Sequence, residues 1–282
     1  MIRRLTSLAL LLALCGGAGI FPALSLAVAQ DKGQDNKNSK QNKNNPTAEQ
    51  IAESVIFIYG SREQLKQIRR NGIERGKVTR IGEDGRTEET SYERRFIRGE
   101  SSDKDKMRLD QKTSAAEYSL VYGEGRTWGI INGAAFTPRQ EASEDFLSQM
   151  WHGIDAFLRY KENGSTVAFI NRDTQKGLDL YVMDLTDKEK RKTRYYISAK
   201  TLRILWLEYE QPGVGVGSKP VKFMKKFADY RYAQGTLVPF KTTMFEDGKQ
   251  TQEMRIQTVT FGVKMEDSFF RNPEAQASTL QP

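Results

Sequence analysis

Cysteine and histidine are almost missing from this 282-residue chain: it has one of each, Cys15 and His152. Cys15 lies in an N-terminal stretch that reads as removable, so the working chain has no thiol. That excludes disulfide staples, thiol catalysis and zinc sites built on several Cys or His side chains. Dense blocks of like charge are also lacking. The nearest, Lys188-Glu189-Lys190-Arg191-Lys192, is broken by a glutamate and reads as a solvated hairpin turn ahead of a membrane-docking patch. Phosphate-loop order is absent as well. Pro212 to Pro220 is rich in glycine but departs from G-x-x-x-x-G-K-[ST], and Pro220 would break the helix that must follow. It reads as a flexible loop and a candidate gate. His152 stands four residues after Ser148 on a helical pattern, a same-helix pair ill placed to share a substrate with an oxyanion hole. It reads as structural or exposed, and a hydrolase using it is the remote alternative. Asp103 with Asp105, and Asp184 with Asp187, read as turn or surface charges because 36 acidic residues make close pairs inevitable. No catalytic residue, metal ligand or cofactor is expected.

What the sequence does have begins at its N-terminus. Arg3 and Arg4 precede an apolar run from Leu5 to Leu14, and Ala27-Val28-Ala29 precedes Gln30. This is the pattern of a secretory signal peptide cleaved after Ala29, with an uncleaved anchor as the competing reading. A lipid-modified Cys15 is disfavoured because Leu14 occupies a position where lipoprotein signals want a small residue. Export makes nucleic acid the poorest partner for a chain whose formal charge falls from +8 to +6 once Arg3 and Arg4 are gone. From Asp31 to Pro46 there is no aliphatic or aromatic residue, so this stretch reads as a disordered polar linker. The expected organisation is a signal peptide at 1–29, a linker at 30–46, one domain at 47–273 and a flexible tail at 274–282.

Within the domain, Thr47 and Gln50 form a capping-box pattern ahead of Ile51, Val55 and Ile58, predicting a helix that stops near Gly60. A second short helix follows from Ser61 to Arg70. From Gly72 the apolar period becomes two. Strands are predicted at 73–82, 87–98, 104–112, 116–122 and 126–131, the first two joined by Glu83-Asp84-Gly85-Arg86. One long amphipathic helix is expected from Glu141 to Lys161, with Phe146, Leu147, Met150, Trp151, Ile154, Phe157 and Leu158 on one face and Asn163-Gly164 as its stop. Seven further strands are predicted: 166–172, 177–185, 191–198, 202–210, 221–232, 236–245 and 250–261. In the last, the apolar phase slips near Gln257-Thr258, which predicts a β-bulge. The fold class is α+β, a long curved antiparallel meander with helices on its concave side.

Aromatic and aliphatic residues crowd these strands. Leu202 to Leu207 and Leu178 to Leu185 are apolar in both phases, and Trp128, Trp151 and Trp206 join Tyr118, Tyr122, Tyr195, Phe223, Phe227 and Phe240. Such strands ask for cover on both faces or for a cavity that takes an apolar guest. A filled core remains the other option.

The C-terminal third carries a resemblance. Asp229-Tyr230-Arg231, then Gly235-Thr236-Leu237-Val238-Pro239-Phe240-Lys241, Asp247-Gly248-Lys249 and Asp267-Ser268-Phe269-Phe270 resemble the outer-membrane lipoprotein-sorting family of LolA/LolB-type periplasmic carriers. The opening, with Ala52, Tyr59-Gly60, Leu65, Ile68 and Gly76, is similar to theirs. The resemblance implies an unclosed antiparallel β-barrel whose helices cover an apolar cavity for lipid or lipoprotein acyl chains. It also implies a monomeric carrier that meets membrane-associated donor or acceptor proteins. On that basis the expected cavity wall is Leu109, Tyr118, Leu120, Trp128, Trp206, Phe223 and Phe240. The expected lid residues are Leu147, Trp151, Ile154 and Leu158. An interaction or envelope-sensor module on the same fold, with a filled core, is the alternative.

Overall fold

The computed structural model describes residues 46–113, 116–213 and 218–272. The expected signal peptide with Cys15, the linker as far as Asn45, the tail and the centre of the Gly-rich loop lie outside the described residues. Among the described residues, thirteen strands form one antiparallel sheet. In chain order they are β1 Asn71–Ile81, β2 Thr87–Ile97, β3 Lys106–Lys112, β4 Glu117–Gly123, β5 Arg126–Ile131, β6 Ala134–Phe136, β7 Thr166–Gln175, β8 Leu178–Thr186, β9 Lys192–Ser198, β10 Ile204–Gln211, β11 Val221–Ala233, β12 Thr236–Glu246 and β13 Lys249–Phe261. The helices are α1 Ala48–Tyr59, α2 Arg62–Ile68, α3 Gln140–Trp151 and α4 Ile154–Leu158.

The spatial order runs β6-β5-β4-β3-β2-β1-β13-β12-β11-β10-β9-β8-β7. The chain starts in the middle of the sheet and meanders to one edge. It then crosses by way of α3 and α4 to the far edge and meanders back until β13 pairs with β1. The edges β6 and β7 do not pair, so the sheet is an unclosed barrel, as expected.

Local chemistry sets the elements. Thr47 Oγ1 accepts from the Gln50 amide at 3.2 Å while Gln50 Oε1 accepts from the Thr47 amide at 2.8 Å, the reciprocal cap read from the sequence. α1 then buries Ile51, Ala52, Val55, Ile56 and Tyr59. In the β1–β13 pair, Arg75 faces Thr258 but Gly76 faces Ile256, so Gln257 is the extra residue of the expected bulge. A Cβ on Gly76 would lie 2.2 Å from the Arg255 carbonyl oxygen and 2.9 Å from the Tyr92 ring, so glycine is required where the bulged strand bends inward.

Three expectations need correction. The single helix over 141–161 is two helices, because His152 (φ −120°, ψ 68°) and Gly153 (φ −144°, ψ 174°) leave helical geometry between α3 and α4. Leu202 is a turn residue at φ 56°, and β10 starts at Ile204. The short edge strand β6 was not expected from the sequence. It forms because a Gly133 turn returns the chain beside β5.

The larger core packs α1, α2 and α4 on β8 to β12 through residues such as Ile56, Phe157, Met183, Tyr195, Ile197 and Leu207. A second cluster lies under α3. There Phe146, with Leu147 and Met150, meets Val78, Tyr92, Met107, Leu109, Leu120 and Tyr122 of β1 to β4.

Candidate functional site

The inward phase of the central strands builds a cavity of about 460 Å³ beneath α3. One register row runs Glu74, Arg94, Leu109, Leu120 and Gly129 across β1 to β5. Another, two rows on along β1, runs Phe227, Thr242, Met254, Val78 and Thr90 across β11, β12, β13, β1 and β2. Because neighbouring side chains of a row share a face, the alternation of each strand puts these residues on one concave wall. Gly129 leaves its place in the row empty. A Cβ there would sit 2.1 Å from the Phe136 ring, which crosses over it and joins the cavity lining.

α3 roofs the cavity and is fastened at its C-terminal end. Buried Lys225 of β11 donates from Nζ to the carbonyl oxygens of His152 at 2.9 Å and Ser148 at 3.3 Å, a cationic cap on the last turn. Tyr195 donates to the Gly153 oxygen at 2.8 Å. His152 is 3% exposed, stacks on Tyr209 with centroids 3.9 Å apart, and pairs through Nδ1 with Thr193 Oγ1 at 2.7 Å. Burial, with Lys225 and Arg191 nearby, lowers its pKa to about 3, so it is neutral in the fold. Burial also lowers the Lys225 ammonium to about 7 against the opposing pull of Asp145. Ser148 donates to the Asp145 carbonyl at 2.8 Å rather than to His152, so the sequence's Ser–His pair does not form. The first turn of α3, by contrast, is exposed at Gln140, Glu141 and Ala142.

Of the eleven residues expected at the cavity, Leu109, Tyr118, Leu120 and Ile154 line it. Leu147 packs in the cluster beside it. The other six are elsewhere. Trp206 stacks on Tyr196 at 4.6 Å, away from the cavity, because its neighbour Leu207 takes the inward phase. Phe223 stacks on Tyr209 and belongs, with Leu158, to the core under α1. Phe240 packs with Val238 and Phe261, under the Arg231 guanidinium. Trp151 lies under the Arg191 guanidinium at 3.9 Å, on a different face of α3 from Phe146. Trp128 lies against Gly123, where a Cβ would meet its ring at 3.3 Å. The basic run at 188–192 is the β8–β9 hairpin turn, with Asp187 bonding Arg191. Asp184 is 2% exposed and held by Arg194 and Lys192, and Asp105 is held by Arg159. Asp184 is therefore a covered carboxylate whose cationic partners, Arg194 and Lys192, stay exposed, rather than a free surface charge.

The sequence reading did not find the charged end of the cavity. Glu74, 3% exposed, accepts from Tyr92 Oη at 2.8 Å and from Arg94 Nη2 at 2.6 Å. Asp155 at the start of α4 pairs with Arg69 at 3.1 Å and with Arg98. Burial raises the Asp155 carboxyl, but the guanidinium groups of Arg69, Arg98, Arg94 and Arg159 more than reverse that, and it stays well below the usual carboxylate range. Burial, reinforced by Arg69 and Arg159, lowers Arg98 to about 10 despite Asp155. A usable signal was present for two of these residues: Arg94 lies between Tyr92 and Phe96 in the apolar phase of β2, and Lys225 between Phe223 and Phe227 in that of β11.

No protein-family model matches this sequence, and no curated protein matches it. Solved structures do match by fold. A LolA-superfamily protein from Nitrosomonas europaea superposes with a TM-score of 0.55 at 11% identity, covering 80% of this chain and 98% of the other. A DUF1329 family protein from Desulfovibrio piger gives 0.56 at 12% identity, covering 82% and 99%. The chain therefore has the LolA-like unclosed-barrel fold.

Proposed function

We propose that the protein is an exported, periplasmic, non-catalytic carrier that shelters the acyl chain of a lipid or lipoprotein in the cavity beneath α3. The observation that carries this reading is the cavity itself. Its volume of about 460 Å³ falls in the range of small-molecule sites, and Val78, Leu109, Leu120, Phe146, Met254 and Ile256 give it apolar walls. Each methylene moved from water to such a wall contributes about 0.8 kcal/mol, so a chain of ordinary length is held without any covalent step. The LolA-like fold supports the same reading. So does the roof: α3 is tied at His152 and Gly153 and exposed at its first turn, which suits a lid that swings to release cargo. A membrane-associated donor or acceptor protein would meet that free end, with the carrier acting as a monomer. Transport toward the outer membrane is the role this implies.

The test is native mass spectrometry with organic extraction of the mature protein purified from an envelope fraction. A bound phospholipid, fatty acid or acylated peptide is the expected result. An apo mass, together with failure to take up a fluorescent fatty acid, would reject the carrier and favour an interaction module on the same fold.

A further inference from the structure

Four arginines, Arg69, Arg94, Arg98 and Arg159, converge on three carboxylates, Glu74, Asp105 and Asp155. The cluster is one positive charge in excess, and the excess is not spread evenly. Arg94 and Arg159 hold a carboxylate each, whereas Arg69 and Arg98 share Asp155. Arg69 is 8% exposed, yet among the described residues its Nε and Nη1 are buried without a hydrogen-bond partner, as is Nε of Arg94. A buried guanidinium donor without an acceptor is costly, and native proteins rarely keep one without a use for it.

The position of Arg69 suggests the use. It lines the apolar cavity, the small adjoining pocket of about 70 Å³ beside Glu74 and Arg94, and an outer cleft of about 830 Å³. Six basic side chains against four acidic ones border that cleft, among them Arg62 and Lys66 of α2 and Arg70 in the turn after it. One residue therefore stands between an apolar chamber and a cationic entrance, with donors free in a low-dielectric setting. A guanidinium matches the two oxygens of a carboxylate or phosphate by a fork of parallel hydrogen bonds.

We propose that Arg69, backed by Arg94, binds the anionic head group, a carboxylate or phosphate monoester, of a single-chain amphiphile whose tail fills the cavity. This rests on the carrier reading and narrows its cargo from any apolar chain to an acidic one. The head group supplies the negative charge that the cluster lacks.

Isothermal titration of the mature chain with dodecyl phosphate, dodecanoate, dodecan-1-ol and inorganic phosphate tests it. Both anionic chains should bind at least about tenfold more tightly than the alcohol, as charge-assisted hydrogen bonds imply. R69Q should bring that ratio close to one. Equal affinity for the alcohol and the two anions in the wild-type chain would overturn the head-group site and leave the carrier standing. Binding of none of the three chains would remove the carrier reading itself. Inorganic phosphate binding as tightly as dodecyl phosphate would make the site one for a free anion and overturn the amphiphile. Where R69Q melts below the assay temperature, R69K is read instead. It keeps the charge and loses the fork, so the ratio should drop severalfold; an unchanged ratio overturns the proposal.

Discussion

The two flanks of the sheet follow the same rule of alternation and end in opposite states. Under α1 and α4, β8 to β10 send Met183, Leu185, Tyr195, Ile197 and Leu207 inward against helices that fill every row, and each is at most 1% exposed. Under α3, β1 to β4 send Val78, Arg94, Leu109 and Leu120 inward, and the roof reaches down only with Phe146 and its neighbours, leaving the chamber. The difference lies in the cover. α1 has a capped start and buries Ile51, Ala52, Val55, Ile56 and Tyr59, whereas α3 has no side-chain cap and buries Phe146 and Ser148. A sheet of one construction thus supplies both a rigid frame and a receptive wall, and the helix above decides which.

Several substitutions would break or sharpen that contrast. The largest effect should come from Leu207→Ala in the filled flank. It opens a void among side chains that cannot close on it, and should cost about 3–5 kcal/mol. Leu120→Ala borders space that already exists and should cost only about 1–2 kcal/mol. Denaturant midpoints measure both, and equal losses would erase the distinction between the flanks.

Next come the two titrating groups at the seam. His152 stays neutral in the fold down to about 3 but takes up a proton below 6.5 when unfolded. The unfolded state binds more protons in that window, so stability should fall as pH drops from 6.5, by up to about 1.4 kcal/mol per pH unit. H152Q should flatten the slope between pH 5.5 and pH 6.5, where unfolded carboxylates carry few protons. Lys225, lowered to about 7 from 10.5, works in the same direction at higher pH. Its folded form has released a proton that the unfolded chain keeps, so stability should rise between pH 7 and pH 9. K225M should lack that rise in urea melts.

A smaller loss, about 1–3 kcal/mol, is expected for Gly129→Ala, whose new Cβ would push Phe136 off the cavity wall. The smallest effect on stability, under about 1 kcal/mol, belongs to Val78→Phe, which grows into the chamber rather than into packed atoms. Its consequence should be functional: uptake of fluorescent fatty acid should be lost while the thermal midpoint holds. Unimpeded uptake in a folded V78F protein would place the guest elsewhere.

These contrasts also mark what a reader of the sequence could see. The Thr47–Gln50 cap, the Asp84-Gly85 hairpin and the bulge at Gln257 were legible because each is written in neighbouring residues. Leu109, Tyr118 and Leu120 were named on the resemblance, and they line the chamber because they share one phase of β3 and β4. The break at His152-Gly153 was not, since the apolar spacing continues across it and tertiary bonds from Lys225 and Tyr195 fix the end of α3. Trp206 and Phe223 went astray for a related reason. Aromatic content marks a place where burial is sought, but register and covering helix decide which face and which chamber receive it. The arginine cluster assembles Arg69, Arg94, Arg98 and Asp155 from α2, β2 and α4 and their flanks, so no local pattern announces it.

Photo-crosslinking distinguishes the two flanks of the sheet by which of them takes up an acyl chain. A fatty acid carrying a diazirine at its chain end is bound to the mature protein, irradiated, and the labelled peptides are mapped by mass spectrometry. The account predicts label on β1, β3, β4, β13 and α3, around Val78, Leu109, Leu120, Met254 and Phe146. Label concentrated on α1, β8 or β10, or scattered over the surface, would contradict it.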